Sequence, residues 1–245
     1  MKDLVVYLIP ETTLFTKHVN DDILIIQIYV GDIIFDSTNE NLCKYFELCM
    51  KKEFEMSMMG ELNYFLGLQI KQRSDGIFVN QAKYTKDLIK KFELENVKVS
   101  RTPMATTIEL DKDEQNKNVD SKLYHNIIGS LLYLTTSKSD IMFSVFVCAG
   151  FQSCPKESHL SVIKCIIKYF KVTIGMGFWF SKTGQFNMMG YLNADYVGSR
   201  VERKSTSGTC QFLENCIILW SFNKQNFVAL LTVEAANAAA AACCA

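Results

Sequence analysis

A chain of 245 residues, 49% hydrophobic and 21% charged, has the makeup of one large folded domain or two small ones, not of a disordered segment. Its 26 Lys and Arg balance 26 Asp and Glu, so it lacks the basic excess with which a protein grips a nucleic-acid backbone on charge alone. No apolar run approaches the ~18 residues that a bilayer-spanning helix needs.

The start, Met1-Lys2-Asp3-Leu4, shows neither a basic n-region nor a cleavage site. Nine cysteines, an odd number without a Cys-x-x-Cys pair, are expected to be reduced, small hydrophobes in an intracellular protein, cytoplasmic or nuclear. His18, His125 and His159 lie too far apart in sequence for the tight ligand spacing of a zinc knuckle.

Residues 23–36 read as a β-hairpin, with β-branched runs Ile23–Val30 and Ile33–Phe35 meeting at a Gly31-Asp32 turn. Asn39 to Phe54 has helical periodicity, with Leu42, Phe46, Cys49 and Met50 on one face, and Gly60 breaks the pattern. A second hairpin follows: Tyr64 to Ile70, an Asp75-Gly76 turn, then Ile77 to Val79. Tyr84 to Phe92 is a short basic helix that turns Leu88 and Ile89 inward. From Ser100 to Asp120 the composition shifts to Thr, Lys, Asp and Glu around Pro103, as in a linker or surface excursion. Two or three helices come next. One carries the stripe Leu123, Ile127, Leu131 and Leu134; another carries Leu160, Ile163, Ile167 and Phe170 after a helix-starting Pro155. Strands resume at Met176–Phe180, Phe186–Leu192, Gly208–Leu213 and Cys216–Trp220, and Thr232 is placed to cap a final Ala-rich helix. This order predicts an α+β fold of two mixed units joined by a helical connector.

Two-metal phosphoryl transfer holds ions roughly 3.5–4 Å apart and needs several carboxylates on rigid supports. The hairpin tip Tyr29-Val30-Gly31-Asp32 offers one, Asp32. Asp21 and Asp22 do not substitute, because ten extended residues put Asp22 roughly 33 Å from Asp32. Taken alone, Gly31-Asp32 reads equally well as a plain hairpin turn. Between Pro155 and Lys204 eight Lys and Arg, among them Lys164, Lys168, Lys171 and Arg203, face three acidic residues. A solvated helix face is the ordinary account, and a mild backbone-binding surface is the other.

Six stretches follow one another along the chain: Tyr29-Val30-Gly31-Asp32-Ile33-Ile34-Phe35, the run from Gly60 to Ile70, Gln81-Ala82-Lys83-Tyr84, Thr102-Pro103-Met104, the run from Tyr124 to Leu134, and Arg203-Lys204-Ser205-Thr206-Ser207-Gly208. Together they resemble the Pol polyprotein of copia-type LTR retrotransposons, from the end of the reverse transcriptase palm into RNase H. The resemblance runs from about Thr13 to the end. It implies a partial reverse-transcriptase palm with its primer-grip region in residues 1–100 and a linker and helical, thumb-like connector in 101–175. Residues 176–245 would be the first half of a truncated RNase H-like domain.

What the resemblance implies for sites follows residue by residue. The family's polymerase hairpin, Tyr-x-Asp-Asp, falls on Tyr29, Val30, Gly31 and Asp32, so its first metal-binding Asp is Gly31 and its second survives as Asp32. A further family Asp falls before Met1. Phe65, Leu66 and Gly67 match the hairpin that grips the primer end. The first RNase H Asp, in Tyr-x-Asp-Ala-Asp, falls on Asn193 of Tyr191-Leu192-Asn193-Ala194-Asp195. A neutral amide there lacks the charge that holds a hard divalent cation, and Asp195 shares its face by alternation. Glu234 retains the first Glu of Thr-x-Glu-Ala-Glu-Tyr, and the remaining catalytic Asp residues fall beyond Ala245. Ser137-Lys138-Ser139-Asp140-Ile141 stands for Ser-Arg-Pro-Asp-Ile, and Glu214-Asn215 stands where Gly would turn a hairpin.

The family's activities are RNA-directed DNA polymerisation and RNase H cleavage, with Mg²⁺ as cofactor and an RNA–DNA hybrid as partner. With Gly31 and Asn193 substituted, the resemblance implies a degenerate, inactive copy that holds no Mg²⁺. Asp32 and Glu234 would be its surviving ancestral metal positions. Lys164, Lys168, Lys171 and Arg203 would be a weak nucleic-acid surface. Incomplete sheets are expected to expose edges that aggregate or accept a strand from a partner.

Overall fold

The computed structural model describes residues 13–105, 110–183, 187–199 and 203–244. Its contacts divide into two units, Met1–Leu62 and Asn63–Ala245. In the first, β1 (Leu14–Val19), β2 (Asp22–Tyr29) and β3 (Asp32–Ser37) form an antiparallel sheet in that order. Alternation buries Leu24 and Ile26 and leaves Ile25 41% exposed. Both connections have two residues, Asn20-Asp21 and Val30-Gly31, each opening on a positive φ, 54° at Asn20 and 53° at Val30.

The second connection corrects the expected Gly31-Asp32 turn, because Asp32 pairs with Tyr29 and opens β3. The left-handed conformation therefore falls on a β-branched valine, at a cost on the order of 1–2 kcal/mol. The helix α1 (Glu40–Glu53) starts where the Asn39 side chain accepts the Asn41 N–H and ends with Lys51 and Lys52 beside its last carbonyls. Phe46 meets Phe35 edge-on at 4.9 Å, yet no residue of α1 is buried.

In the second unit, β4 (Tyr64–Phe65), β5 (Leu68–Arg73), β6 (Gly76–Asn80) and β7 (Gly177–Ser181) make an antiparallel sheet in chain order. The expected run from Tyr64 to Ile70 breaks at Leu66-Gly67, where φ is +47° and +74°, the two-positive pattern of a tight hairpin turn. Strand β7, expected with the later strands, instead pairs with β6 from Gly76↔Ser181 to Asn80↔Gly177. Two glycines permit this: a Cβ on Gly76 or Gly177 would strike the facing backbone at Phe180 or Val79.

The helices α2 (Ala82–Lys91), α3 (Ser121–Leu134), α4 (Met142–Ala149) and α5 (Glu157–Thr173) pool their apolar stripes into one core. Leu131, Leu134, Ile163, Ile166 and Phe170 are fully buried, each such side chain contributing about 1.5–3 kcal/mol. Leu123, expected in that stripe, is 43% exposed. Tyr124 takes the inward place and donates its hydroxyl to the Cys148 carbonyl at 2.8 Å. Burial pushes the Cys148 thiol up to about 12. Lys138 is also buried, and burial lowers its pKa. Its Nζ donates to the Thr173 carbonyl at 2.6 Å, where the α5 dipole favours a cation.

The polar stretch expected as a linker is pinned over its described second half. His159 Nε2 bonds the Asp111 carbonyl at 2.8 Å, Lys156 Nζ donates to the Asn116 carbonyl at 3.2 Å, and Val119 N–H donates to the Pro155 carbonyl at 2.9 Å. The last sheet holds β8 (Met188–Ser199), β9 (Lys204–Leu213) and β10 (Cys216–Lys224), with β8 and β10 at its edges. Helix α6 (Thr232–Cys244) packs on β8 and β9. Thr232 is the first residue of α6 and not its cap. Helices and antiparallel sheets coexist in each unit, which is the α+β class that the sequence indicates.

Candidate functional site

At the tip of the β2–β3 hairpin Asp32 is exposed, across from Tyr29. Gly31 beside it is not held in a positive φ, and a Cβ there would meet no atom within 4 Å. The tip therefore has room for a second carboxylate and lacks one. Asp22 sits at the opposite end of the hairpin, where its carboxylate accepts from Thr38 Oγ1 at 2.9 Å and Asn39 Nδ2 at 2.8 Å. It ties down the hairpin base. Among the described residues, no three His, Cys, Asp or Glu side chains converge in a way that would hold a metal ion.

On β8, Asn193 stands opposite Gly208 and Asp195 opposite Thr206, so alternation gives both one face. Helix α6 covers the other face. There a Cβ on Gly190 would lie 3.3 Å from Cys243 Sγ, Gln211 Nε2 donates to the Cys243 carbonyl at 2.7 Å, and Gln225 Nε2 donates to Ser207 Oγ and the Ala235 carbonyl, both at 2.8 Å. Glu234 belongs to that helix, and its carboxylate accepts the Leu230 N–H at 2.8 Å. Thus β8 groups Asn193 with Asp195, while the Glu234 carboxylate is engaged as a cap of its own helix. A shallow cavity of about 420 Å³ lies where α6 begins, lined by Leu192, Asn193, Ala194, Thr232, Val233 and Ala236.

Leu66 and Gly67 form the β4–β5 turn, with Leu66 44% exposed. The Tyr133 hydroxyl, reaching over from α3, donates to the Leu66 carbonyl. Phe65 ends β4 and is half-buried. Next to this turn, Lys83 Nζ lies 5.8 Å from the Tyr64 ring centroid. Sequence reasoning singled out Phe65, Leu66 and Gly67 but passed over Tyr133 and Lys83. The only signal for those two was their place in the motif runs.

Of the four expected basic contacts, Lys164 and Lys168 share the outer face of α5, exposed and half-exposed, and Arg203 is exposed beside β9. Lys171 is committed elsewhere: its Nζ donates to the carbonyls of Glu95 at 2.7 Å and Val97 at 2.5 Å.

Residues 8–106 match the family of reverse transcriptase (RNA-dependent DNA polymerase). Over 227 residues, 93% of this chain, it is 29% identical to the retrovirus-related Pol polyprotein from transposon RE2 and 30% identical to that from transposon RE1, both of Arabidopsis thaliana. Over nearly its whole length the chain is thus similar to the Pol polyproteins of copia-type retrotransposons. It spans 16% of the length of those two Pol relatives. It is also 28% identical to an uncharacterized mitochondrial protein of Arabidopsis thaliana, over 84% of this chain and 86% of that protein. No solved structure matches it. The reverse-transcriptase match takes in both the Asp32 tip and the Leu66-Gly67 turn; β8 and α6 lie outside it.

Proposed function

We propose that this chain is a remnant of a Pol protein whose ancestral reactions were RNA-directed DNA polymerisation and RNase H cleavage, and that it carries out neither. The observation behind this reading is Gly31. A hard cation of the Mg²⁺ type is held by carboxylates and substrate phosphates, and a two-ion site needs carboxylates that reach both ions. The hairpin tip supplies Asp32 alone, so its donor set does not fit a two-Mg²⁺ centre. In the same reading residues 1–100 derive from a palm, 101–175 from a connector and 176–245 from the start of an RNase H-like unit. Asn193 then replaces that unit's first acidic ligand, while Glu234 serves as a helix cap.

The test is primer extension and hybrid cleavage by the purified chain on RNA–DNA substrates in Mg²⁺. No product above background is expected. Extension by the wild-type chain that vanishes in Asp32→Ala would overturn the reading.

A non-catalytic grip on nucleic acid is the second reading. It is favoured by the outer row Lys83, Lys86 and Lys90 on α2, a helix that packs against the Lys164 and Lys168 helix. It predicts affinity for an RNA–DNA hybrid that falls steeply as salt rises. Binding that is absent or insensitive to salt would rule it out.

A further inference from the structure

We infer that the outer edge of β8 is the interface at which two copies of this chain pair, strand against strand and antiparallel, with Leu192 on the two-fold axis. The inference is independent of the catalytic and nucleic-acid-binding readings above.

Among the described residues no strand pairs with that edge, so the β8 backbone groups that point away from β9 have no ladder to join. Natural edges in this position are kept short, charged or broken by proline. The edges of the first sheet follow that rule: β1 and β3 have six residues each and carry Lys17 and His18, or Asp32 and Asp36. Strand β8 does not. It is 12 residues long, contains neither Lys nor Pro, and has Asp195 as its one charged residue. Met188, Met189, Tyr191, Leu192 and Tyr196 are all exposed along it. Apolar side chains open on both faces of a long edge mark an association surface.

The order of residues along β8 selects the partner. On the face that α6 covers, Met188, Gly190, Leu192, Ala194 and Tyr196 run large, small, large, small, large, the same pattern in either direction. An antiparallel copy centred on Leu192 sets Met188 against Tyr196 of the second copy, Gly190 against Ala194, and Leu192 against its own equivalent. Such matched cross-strand pairs are what stabilise a sheet. On the other face Tyr191 meets Asn193 and Met189 meets Asp195. The two Asp195 carboxylates then stand roughly 20 Å apart along the strands, beyond the ~8 Å over which exposed charges act at physiological salt. The pairing of β8 with β9 is regular from Met188 to Asp195 and then shifts, with Val197 at φ 56°, so Leu192 lies in the middle of the straight run. Helix α6, mostly Ala and Cys, is slim enough for a second α6 to pass beside it at the roughly 8–10 Å of ordinary helix packing.

The opposite edge limits the assembly to two copies. Trp220 Nε1 of β10 donates to the Thr135 carbonyl at 3.0 Å, and the Phe222 ring meets Phe143 and Phe146 edge-on at 5.0 and 4.9 Å. Strand β10 is thereby committed to the helical layer. Joining through β8 alone is isologous and closes after one step, into a continuous sheet of two copies and not a fibre.

Sedimentation of the full chain over a range of concentrations tests the inference, together with amide exchange and two variants. The wild type should pass from monomer to dimer. Exchange from Met189 to Asp195 should slow as the dimer forms, while exchange in β10 stays the same. Leu192→Lys and Leu192→Glu each set like charges against each other on the axis and should each weaken self-association about a hundred-fold. An equimolar mixture of the two variants should dimerise again, because opposite charges then meet there. A wild-type chain that stays monomeric, or that grows beyond a dimer, overturns the inference. So does a dimer whose β8 exchange does not slow, a result that decides the matter even if a variant fails to fold. Folded variants that dimerise as the wild type does, or a mixture of them that stays monomeric, overturn the pairing about Leu192.

Discussion

The first unit and the helical layer of the second are built from similarly apolar sequence but bury it very differently. In the first, Leu24 and Ile26 are the described hydrophobic residues that are buried, and α1 lies on its sheet without a buried side chain. In the second, Tyr124, Ile128, Leu131, Leu134, Ile141, Val145, Ile163, Ile166 and Phe170 are at most 1% exposed. Sheet alternation with one helix over it fills a thin core, while four helical stripes meeting face to face fill a thick one. Cooperative stability should therefore reside in the helices. The hairpin that carries Asp32 stands on the thin part, where substitutions cost little.

The strongest way to break this contrast is a matched pair of truncations. Leu131→Ala, at a fully buried position, should cost about 2–5 kcal/mol, a large share of a domain's usual margin. Ile25→Ala, at a 41% exposed position, should shift thermal unfolding far less. Equal shifts in circular-dichroism melts would mean that the first unit holds more of the stability than its burial suggests.

Thiol chemistry sharpens the same point. Cys148 is fully buried, and its thiol is pushed up to about 12 by burial, so little thiolate forms at pH 8. Cys154 is exposed. An alkylating reagent should label Cys154 at once and Cys148 only as the chain unfolds, read by peptide mass spectrometry. Prompt labelling of Cys148 would show a loose helical core.

The smaller effects lie in turns. Glu214, at φ 53° in the β9–β10 turn, should gain about 1 kcal/mol on Glu214→Gly, which relieves the left-handed strain. A loss on chemical denaturation would mean that this turn is not strained as described. Gly31→Asp should be the mildest, within about 0.5 kcal/mol, since apart from its chain neighbours nothing lies within 4 Å of the new Cβ. A marked loss of stability would mean that Gly31 is there for the fold.

Much of this contrast is legible in the sequence because helix burial is local and periodic. The spacing of Ile127, Leu131 and Leu134, and of Ile163, Ile167 and Phe170, marks the faces that the core takes in. The β6–β7 pairing is not legible, since its partners are far apart and neither strand's composition names the other. Nor are the turns at Val30 and Leu66, because a positive φ is ordinarily read from Gly or Asn, and here it falls on apolar residues. For the candidate site, motif order gives the positions of Gly31, Asp32, Asn193 and Glu234. Their grouping is another matter, because it depends on which face of β8 the helix α6 covers.

The β6–β7 pairing also bears on how the chain is made. Strand β6 ends at Asn80, and its partner begins at Gly177, about a hundred residues later. A ribosome adding roughly 5–20 residues per second would release β6 some 5–20 s before β7 exists. Through that interval the β6 edge is open to any other extended chain nearby. A nascent-chain holdase would find its target there, on a strand that the finished molecule no longer exposes.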